Sequence, residues 1–202
     1  MFTGIVSELG SVVGVEPSAA GCRLIISAPA TVKGLDVGDS VAVNGVCLTA
    51  THVADGHFSL DVVGETLERS NLGALGVGDR VDLERPMPSN GRFDGHVVQG
   101  HVDGVGRVSG IGVEGTASRI RVTVPPGLAR FLVEKGSVTV DGVSLTVTAV
   151  SAVSQPAPWF EVVLIPHTLD VTVLGHRKVG EAVNLEVDVF AKYVERLMEA
   201  RS

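Results

Sequence analysis

The chain has few aromatic residues, few cysteines and no long apolar run. Aromatic residues make up 4% of its 202 positions, while glycine numbers 25. That balance suits short Val-rich strands joined by tight turns. Cys22 and Cys47 are its only cysteines, too few for a disulfide-stapled scaffold, and a reducing cytosol fits. No stretch approaches the about 18 uninterrupted apolar residues of a membrane-crossing helix. Met1–Val6 lacks a basic region ahead of an apolar one, so it reads as part of the fold and not as a removable signal. There is no Lys/Arg run and the net charge is −7, which argues against a nucleic-acid partner.

What the chain does have is a repeat. Val43-Asn44-Gly45-Val46-Cys47-Leu48-Thr49-Ala50-Thr51 returns, 97 residues on, as Val140-Asp141-Gly142-Val143-Ser144-Leu145-Thr146-Val147-Thr148, with six of nine positions identical. Gly4-Ile5-Val6 answers to Gly100-His101-Val102, and Glu65-Thr66-Leu67 to His167-Thr168-Leu169. A period near half the chain is too long for a solenoid and indicates a duplicated domain. Each half, at about 95 residues, is large enough for its own core.

Each half reads as about six strands. The first half opens with a β-rich run from Ile5 to Val13, the second with one from Val97 to Val108. Leu24–Ser27 and Ile120–Val124 follow, and Gly127–Val133 is a short helical stretch behind Pro125-Pro126. The duplicated nine-residue segment reads as a strand with a glycine near its start. His57–Val63 and Trp159–Ile165 come next, and Val81–Glu84 and Val183–Glu186 close the halves with period-2 alternation. This pattern predicts an all-β chain of two antiparallel barrels in tandem, residues 1–88 and 97–186. The segment Pro86–Gly91 is the linker. Residues 187–202 form an amphipathic helix in which Val189, Phe190, Tyr193, Val194, Leu197 and Met198 recur at helical spacing. That helix either packs on its own barrel or joins subunits.

Two motifs carry little chemistry. Gly110-Ile111-Gly112-Val113-Glu114-Gly115 matches a dinucleotide fingerprint, but a strand pattern follows where a helix is required, so it reads as a hairpin loop. His96 and His101, placed in one strand, would face opposite sides, and no further ligand stands at a familiar spacing for zinc. His101 differs in one respect: its counterpart is Ile5, so the fold does not demand a polar group there. The better signal is Cys47-Leu48-Thr49 with Ser144-Leu145-Thr146. In a strand the thiol and hydroxyls share one face and the leucines the other. Two such triplets in duplicated contexts point to paired polar ligand sites. Cys47 is a nucleophile if a cation lowers its pKa, and otherwise a small donor or acceptor beside a heterocycle.

Taken in order, several strings resemble riboflavin synthases. They are Met1–Val6, Val43–Thr49, Glu65-Thr66-Leu67, His96–Gly104, Asp141–Thr146 and Ile165–Leu169, and the likeness runs along essentially the whole chain. Two positions depart from the family pattern: Asp94 stands where a glycine is common, and His167 where many members have Glu. The resemblance implies two six-stranded barrels, a C-terminal helix that helps build a homotrimer, and no cofactor or metal. It implies a dismutation in which two molecules of 6,7-dimethyl-8-ribityllumazine exchange a four-carbon unit, giving riboflavin and a ribitylaminopyrimidine. Because both reactants are one compound, the duplicated barrel acquires a reason. The active site is implied to lie between one subunit's N-terminal barrel and its neighbour's C-terminal barrel, with lumazine synthase a candidate partner.

The resemblance also assigns residues. Cys47, His101, Ser144 and Asp141 are the candidate catalytic groups. Substrate contacts in the first repeat are Gly4, Ile5, Val6, Cys47, Leu48, Thr49, Asp61, Val62, Val63, Gly64, Glu65 and Thr66. In the second they are Gly100, His101, Val102, Lys135, Ser144, Leu145, Thr146, Val163, Leu164, Ile165, Pro166, His167 and Thr168. The reaction needs a proton taken from the C7 methyl of one ring and a nucleophile added at C7 of the other. The imidazole of His101 is the group suited to shuttle that proton, and Cys47, Ser144 or water supplies or orients the nucleophile. Since His101 and Asp141 belong to the second repeat, acid–base work is expected on the C-terminal barrel. A non-catalytic lumazine- or flavin-binding antenna protein would keep the barrels but lose these polar groups. A reductase flavin domain would need a nicotinamide domain after it.

Overall fold

The computed structural model describes residues 1–199; the last three residues of the predicted tail, 200–202, lie outside the described residues. The first half contains β1 (Glu8–Ser18), β2 (Gly21–Ser27), β3 (Ser40–Val43), β4 (Val46–Ala54), β5 (His57–Val63), the short helix α1 (Gly64–Arg69) and β6 (Arg80–Glu84). Its strands close into a barrel in the order β1-β2-β5-β4-β3-β6. The second half contains β7 (Gly104–Glu114), β8 (Ala117–Thr123), β9 (Ser137–Val140), β10 (Val143–Val150), β11 (Trp159–Leu164), α2 (Pro166–Val171), β12 (Ala182–Val187) and α3 (Val189–Glu199). These strands close as β10-β11-β8-β7-β12-β9. Closure satisfies every edge, so neither barrel presents a free strand for pairing.

Each barrel has its own core: Leu24, Ile26, Val41, Phe58, Leu60 and Leu83 in the first, Ile120, Val122, Val138, Phe160, Leu164 and Leu185 in the second. The closing strands depart from simple alternation. Val81 and Leu83 of β6 face inward, yet Asp82 and Glu84 between and after them are also buried. Asn184 and Glu186 of β12 repeat this. Their outer faces lie in the junction between the barrels.

Three features differ from the sequence reading. The duplicated segment is a hairpin. Asn44-Gly45 has φ of 45° and 78°, and Asp141-Gly142 has 50° and 84°. Val43 pairs with Val46, and Val140 with Val143, which is the two-residue turn that Asn-Gly and Asp-Gly favour. The glycines are required, because a Cβ on Gly45 would come within 2.7 Å of the Gly142 nitrogen. Second, β1 and β7 begin at Glu8 and Gly104, so residues 1–6 and 97–102 are extended arms. Phe2 and Val98 form an antiparallel bridge between these arms. Third, His96 and His101 therefore share no strand, and the opposite-face argument does not apply to them.

The arms are exchanged. Val6, ahead of the first barrel, packs against the second barrel's core. Val102, ahead of the second barrel, packs against the first barrel's core.

Candidate functional site

Arm exchange builds two equivalent sites. At the first barrel, the Cys47 N–H donates to the Gly100 carbonyl at 2.8 Å. Gly100 has φ of 78°, and a Cβ there would fall 2.6 Å from Cys47 Cβ. Only glycine lets the arm lie this close. At the second barrel, the Ser144 N–H donates to the Gly4 carbonyl at 2.7 Å. Gly4 has φ of 77°, and a Cβ there would meet Ser144 Cβ at 2.6 Å.

The first site is a cavity of about 220 Å³ lined by Val46, Cys47, Glu65, Thr66, Gly100, His101 and Val102. His101 is thus a member of the first barrel's site, although it belongs to the second repeat. This corrects the expectation that acid–base groups gather on the C-terminal barrel. The helix α1, which carries Glu65 and Thr66, follows β5 directly and forms the opposite wall.

The second site has a histidine of its own. His96 Nδ1 lies 2.7 Å from Ser144 Oγ. Burial pushes the His96 pKa down, opposed by the charge of Asp188. A half-buried imidazole hydrogen-bonded to a serine hydroxyl is placed to act as a proton acceptor. Sequence comparison missed this pairing for a definite reason. His96 stands four residues before Gly100, and the matching place in the first repeat falls before Met1.

The remaining candidates sort by exposure. Thr49, Val63, Glu65, Thr146, Ile165, Pro166 and His167 are exposed, with Gly64, Thr66, Val163 and Thr168 partly so; of these, Glu65 and Thr66 line the cleft at Cys47. Ile5 is exposed on its arm. Leu48 and Leu145 turn inward to pack on the barrel cores. Val62 and Leu164 are buried core side chains, so only their backbone is available. The Asp61 side chain is held by Arg23 at 2.8 and 3.1 Å, and that hydrogen bond lowers its pKa. Lys135 is exposed on the turn before β9, with φ of 66°.

Asp141 requires correction. It is 0% exposed, so it cannot touch a ligand. Its Oδ1 accepts from Asn71 Nδ2 at 2.7 Å and from the Asn184 N–H at 2.8 Å. Arg177 binds its Oδ2 at 2.7 Å. Burial raises the Asp141 pKa, and Arg177 and these donors pull it back. Its repeat partner Asn44 is equally sealed: Asn44 Oδ1 accepts from the Asp82 N–H at 2.8 Å, and Asn184 Nδ2 donates to the Asn44 carbonyl at 2.8 Å. Asp141 therefore belongs to the polar network that joins the barrels. Among the described residues no group of three or more His, Cys, Asp or Glu could hold a metal ion, and no helix is long and apolar enough to cross a membrane.

Two arm-exchanged barrels, each with a thiol or hydroxyl beside a histidine, define a duplicated small-molecule-binding fold. The lumazine binding domain model matches residues 3–86 and again 99–188. The chain is 51% identical to the riboflavin synthase of Mycobacterium tuberculosis over 201 residues, covering 99% of each. It is 42% identical to that of Actinobacillus pleuropneumoniae, covering 98% of this chain and 90% of the other, and 38% identical to that of Bacillus subtilis over the same shares. The chain belongs to the riboflavin synthase family. Its fold is also that of LumP in complex with 6,7-dimethyl-8-(1'-D-ribityl) lumazine, with a TM-score of 0.82 at 22% identity over 93% of this chain and 99% of that one.

Proposed function

We propose that the chain is an enzyme that converts two molecules of 6,7-dimethyl-8-ribityllumazine into riboflavin and 5-amino-6-ribitylaminouracil. The observation that carries this reading is that one chain builds two equivalent ligand sites, each with a polar group from its own hairpin strand and a backbone arm from the other half. A reaction between two copies of one compound needs that duplication. The arm backbones next to Gly4 and Gly100 offer donors and acceptors to the edges of the heterocycle, and Thr49 and Thr146 offer hydroxyls. The exposed Val63 and Ile165 supply apolar contact for the ring faces.

Division of labour follows from where the sites differ. His101, exposed beside Cys47, exchanges the acidic C7-methyl proton of one ring. Ser144, hydrogen-bonded to His96, delivers or orients the nucleophile at C7 of the other. Holding two identical rings in register supplies a large share of the acceleration.

The two sites must face one another, and the assembly that achieves this is a homotrimer. The α3 stripe supports it: Phe190 is 62% and Leu197 68% exposed, while Lys192 is tied to Asp103 at 2.6 Å and Glu195 to Arg130. The helix is fastened to its barrel by its polar face, leaving its apolar face for a neighbour. The active site then lies between the first barrel of one subunit and the second barrel of the next. The enzyme works in the cytosol without cofactor or metal, and lumazine synthase is its candidate partner.

The test is to mix the protein with the lumazine and follow riboflavin absorbance and fluorescence, while titration counts two ligands per chain. Saturable binding with no riboflavin formed would overturn the enzyme in favour of a non-catalytic binder.

A further inference from the structure

Two buried acids have no part in the chemistry above. Glu84 ends β6, Glu186 stands at the equivalent place one residue before the end of β12, and the two are 8% and 2% exposed. Glu84 Oε1 accepts from the Thr3 N–H at 2.7 Å and from Thr3 Oγ1 at 2.9 Å, and its Oε2 accepts from the Gly4 N–H at 3.0 Å. Glu186 Oε1 accepts from the Gln99 N–H at 2.7 Å, and its Oε2 from the N–H groups of Gly100 and His101, both at 2.9 Å. Burial raises both pKa values, and these donors oppose the rise. Burying a carboxylate is costly unless donors converge on it, and here at least three converge on each.

The connections cross. Glu84 belongs to the first barrel, but the arm it grips caps Ser144 of the second. Glu186 belongs to the second barrel, but its arm caps Cys47 of the first. We propose that Glu84 and Glu186 are crossed positioning residues: each barrel's closing strand sets the ligand arm of the opposite barrel's site. The inference deepens the two-site reading given above and rests on it.

The chemistry needs an acid and not an amide. Both carboxylate oxygens are occupied as acceptors. A glutamine keeps one acceptor and turns an NH₂ donor toward backbone N–H groups. The arm would then lift, and the Gly100 carbonyl would leave the Cys47 N–H and uncover the sulfur. A merely structural acid would loosen the whole molecule; a crossed positioning residue loosens one site, on the other barrel.

The experiment alkylates the full-length protein with iodoacetamide and assigns Cys47 by peptide mass spectrometry in wild type, Glu186→Gln and Glu84→Gln. Losing hydrogen bonds to an ionised acceptor should accelerate Cys47 labelling about tenfold in Glu186→Gln. Labelling of Cys47 in Glu84→Gln should stay at the wild-type rate, while riboflavin titration shows one weakened ligand site in each variant. Unchanged Cys47 labelling in Glu186→Gln, or equal acceleration in both variants, overturns the proposal. Should Glu186→Gln fail to fold, Glu186→Asp, which keeps the charge but withdraws it by one methylene, is held to the same criteria with a smaller rise. Wild-type turnover of the lumazine is scored separately. Its absence would count against the proposed reaction, and the labelling pattern would still decide the crossing.

Discussion

Cys47 donates its backbone N–H to the carbonyl of Gly100, a residue that the sequence repeat assigns to the other half of the chain. The binding cleft at Cys47 is therefore a joint product of both repeats. Gly100→Ala should place a Cβ against Cys47 and force a non-glycine residue into a left-handed conformation, costing about 1–3 kcal/mol. Urea unfolding should register that loss, and riboflavin titration should show one site per chain weakened and the other retained. Two unaffected sites would refute the joint construction.

The His96–Ser144 contact predicts a kinetic signature. His96→Ala should lower kcat by about a hundredfold or more, the range for removing a general base, while ligand affinity changes little. Ser144→Ala should do likewise. The double variant should be scarcely worse than either, because groups that act as a unit are not additive. Steady-state kinetics on all three decide it, and strictly multiplicative losses would separate the two residues.

Asp82 predicts a pH effect of unusual sign. Its Oδ1 accepts from the Val173 N–H at 2.8 Å, but its Oδ2 has no partner among the described residues. Burial pushes its pKa well above the ordinary carboxylate range, aided by nearby Asp141. An acid whose folded pKa is raised holds its proton more tightly when folded, so stability falls as pH rises from the unfolded value, about 3.9, towards the folded one. Asp82→Asn should therefore be more stable than wild type at neutral pH, with the difference vanishing in acid. The second repeat already has Asn184 at this place. Denaturant titrations from pH 4 to pH 8 read the slope directly.

Arg177 is the counter-ion of sealed Asp141. Arg177→Met removes one partner of a buried pair and should destabilise the protein by about 3 kcal/mol or more. Calorimetry checks this. Retained lumazine affinity in the surviving folded fraction would agree with a junction role, and a selective loss of binding would restore Asp141 to the site.

Deleting residues after Asp188 should leave both barrels folded but yield particles of one chain, with turnover lost. Light scattering and circular dichroism provide the two readings. An active assembly of unchanged size would remove α3 from the interface.

Much of this was legible before any coordinates. Period-2 patterning placed the strands, the duplication placed two barrels, and the Cys47 and Ser144 triplets pointed to the two places where an arm from the other half meets a hairpin strand. What misled the reading was local geometry. Asn44-Gly45 and Asp141-Gly142 are hairpin turns, but the Val residues on either side made each segment look like one continuous strand. The arms were hidden for another reason. A repeat reveals which residues correspond, as Ile5 does to His101, but not which barrel each touches. Asp141 was named through the resemblance and the repeat, neither of which reports burial, and the junction between the barrels seals its side chain.

The junction holds a trace of ancestry. In a pair of identical single-barrel chains trading arms about a true two-fold axis, every group on that axis meets its own copy, so an acid there would face an acid. Once the two copies shared a single gene, each could mutate alone. Asn44 and Asp141 differ at equivalent places in the two repeats, as do Asp82 and Asn184. Covalent fusion thus lifted a constraint of symmetry, and the same freedom lets one cleft carry a thiol and the other a hydroxyl.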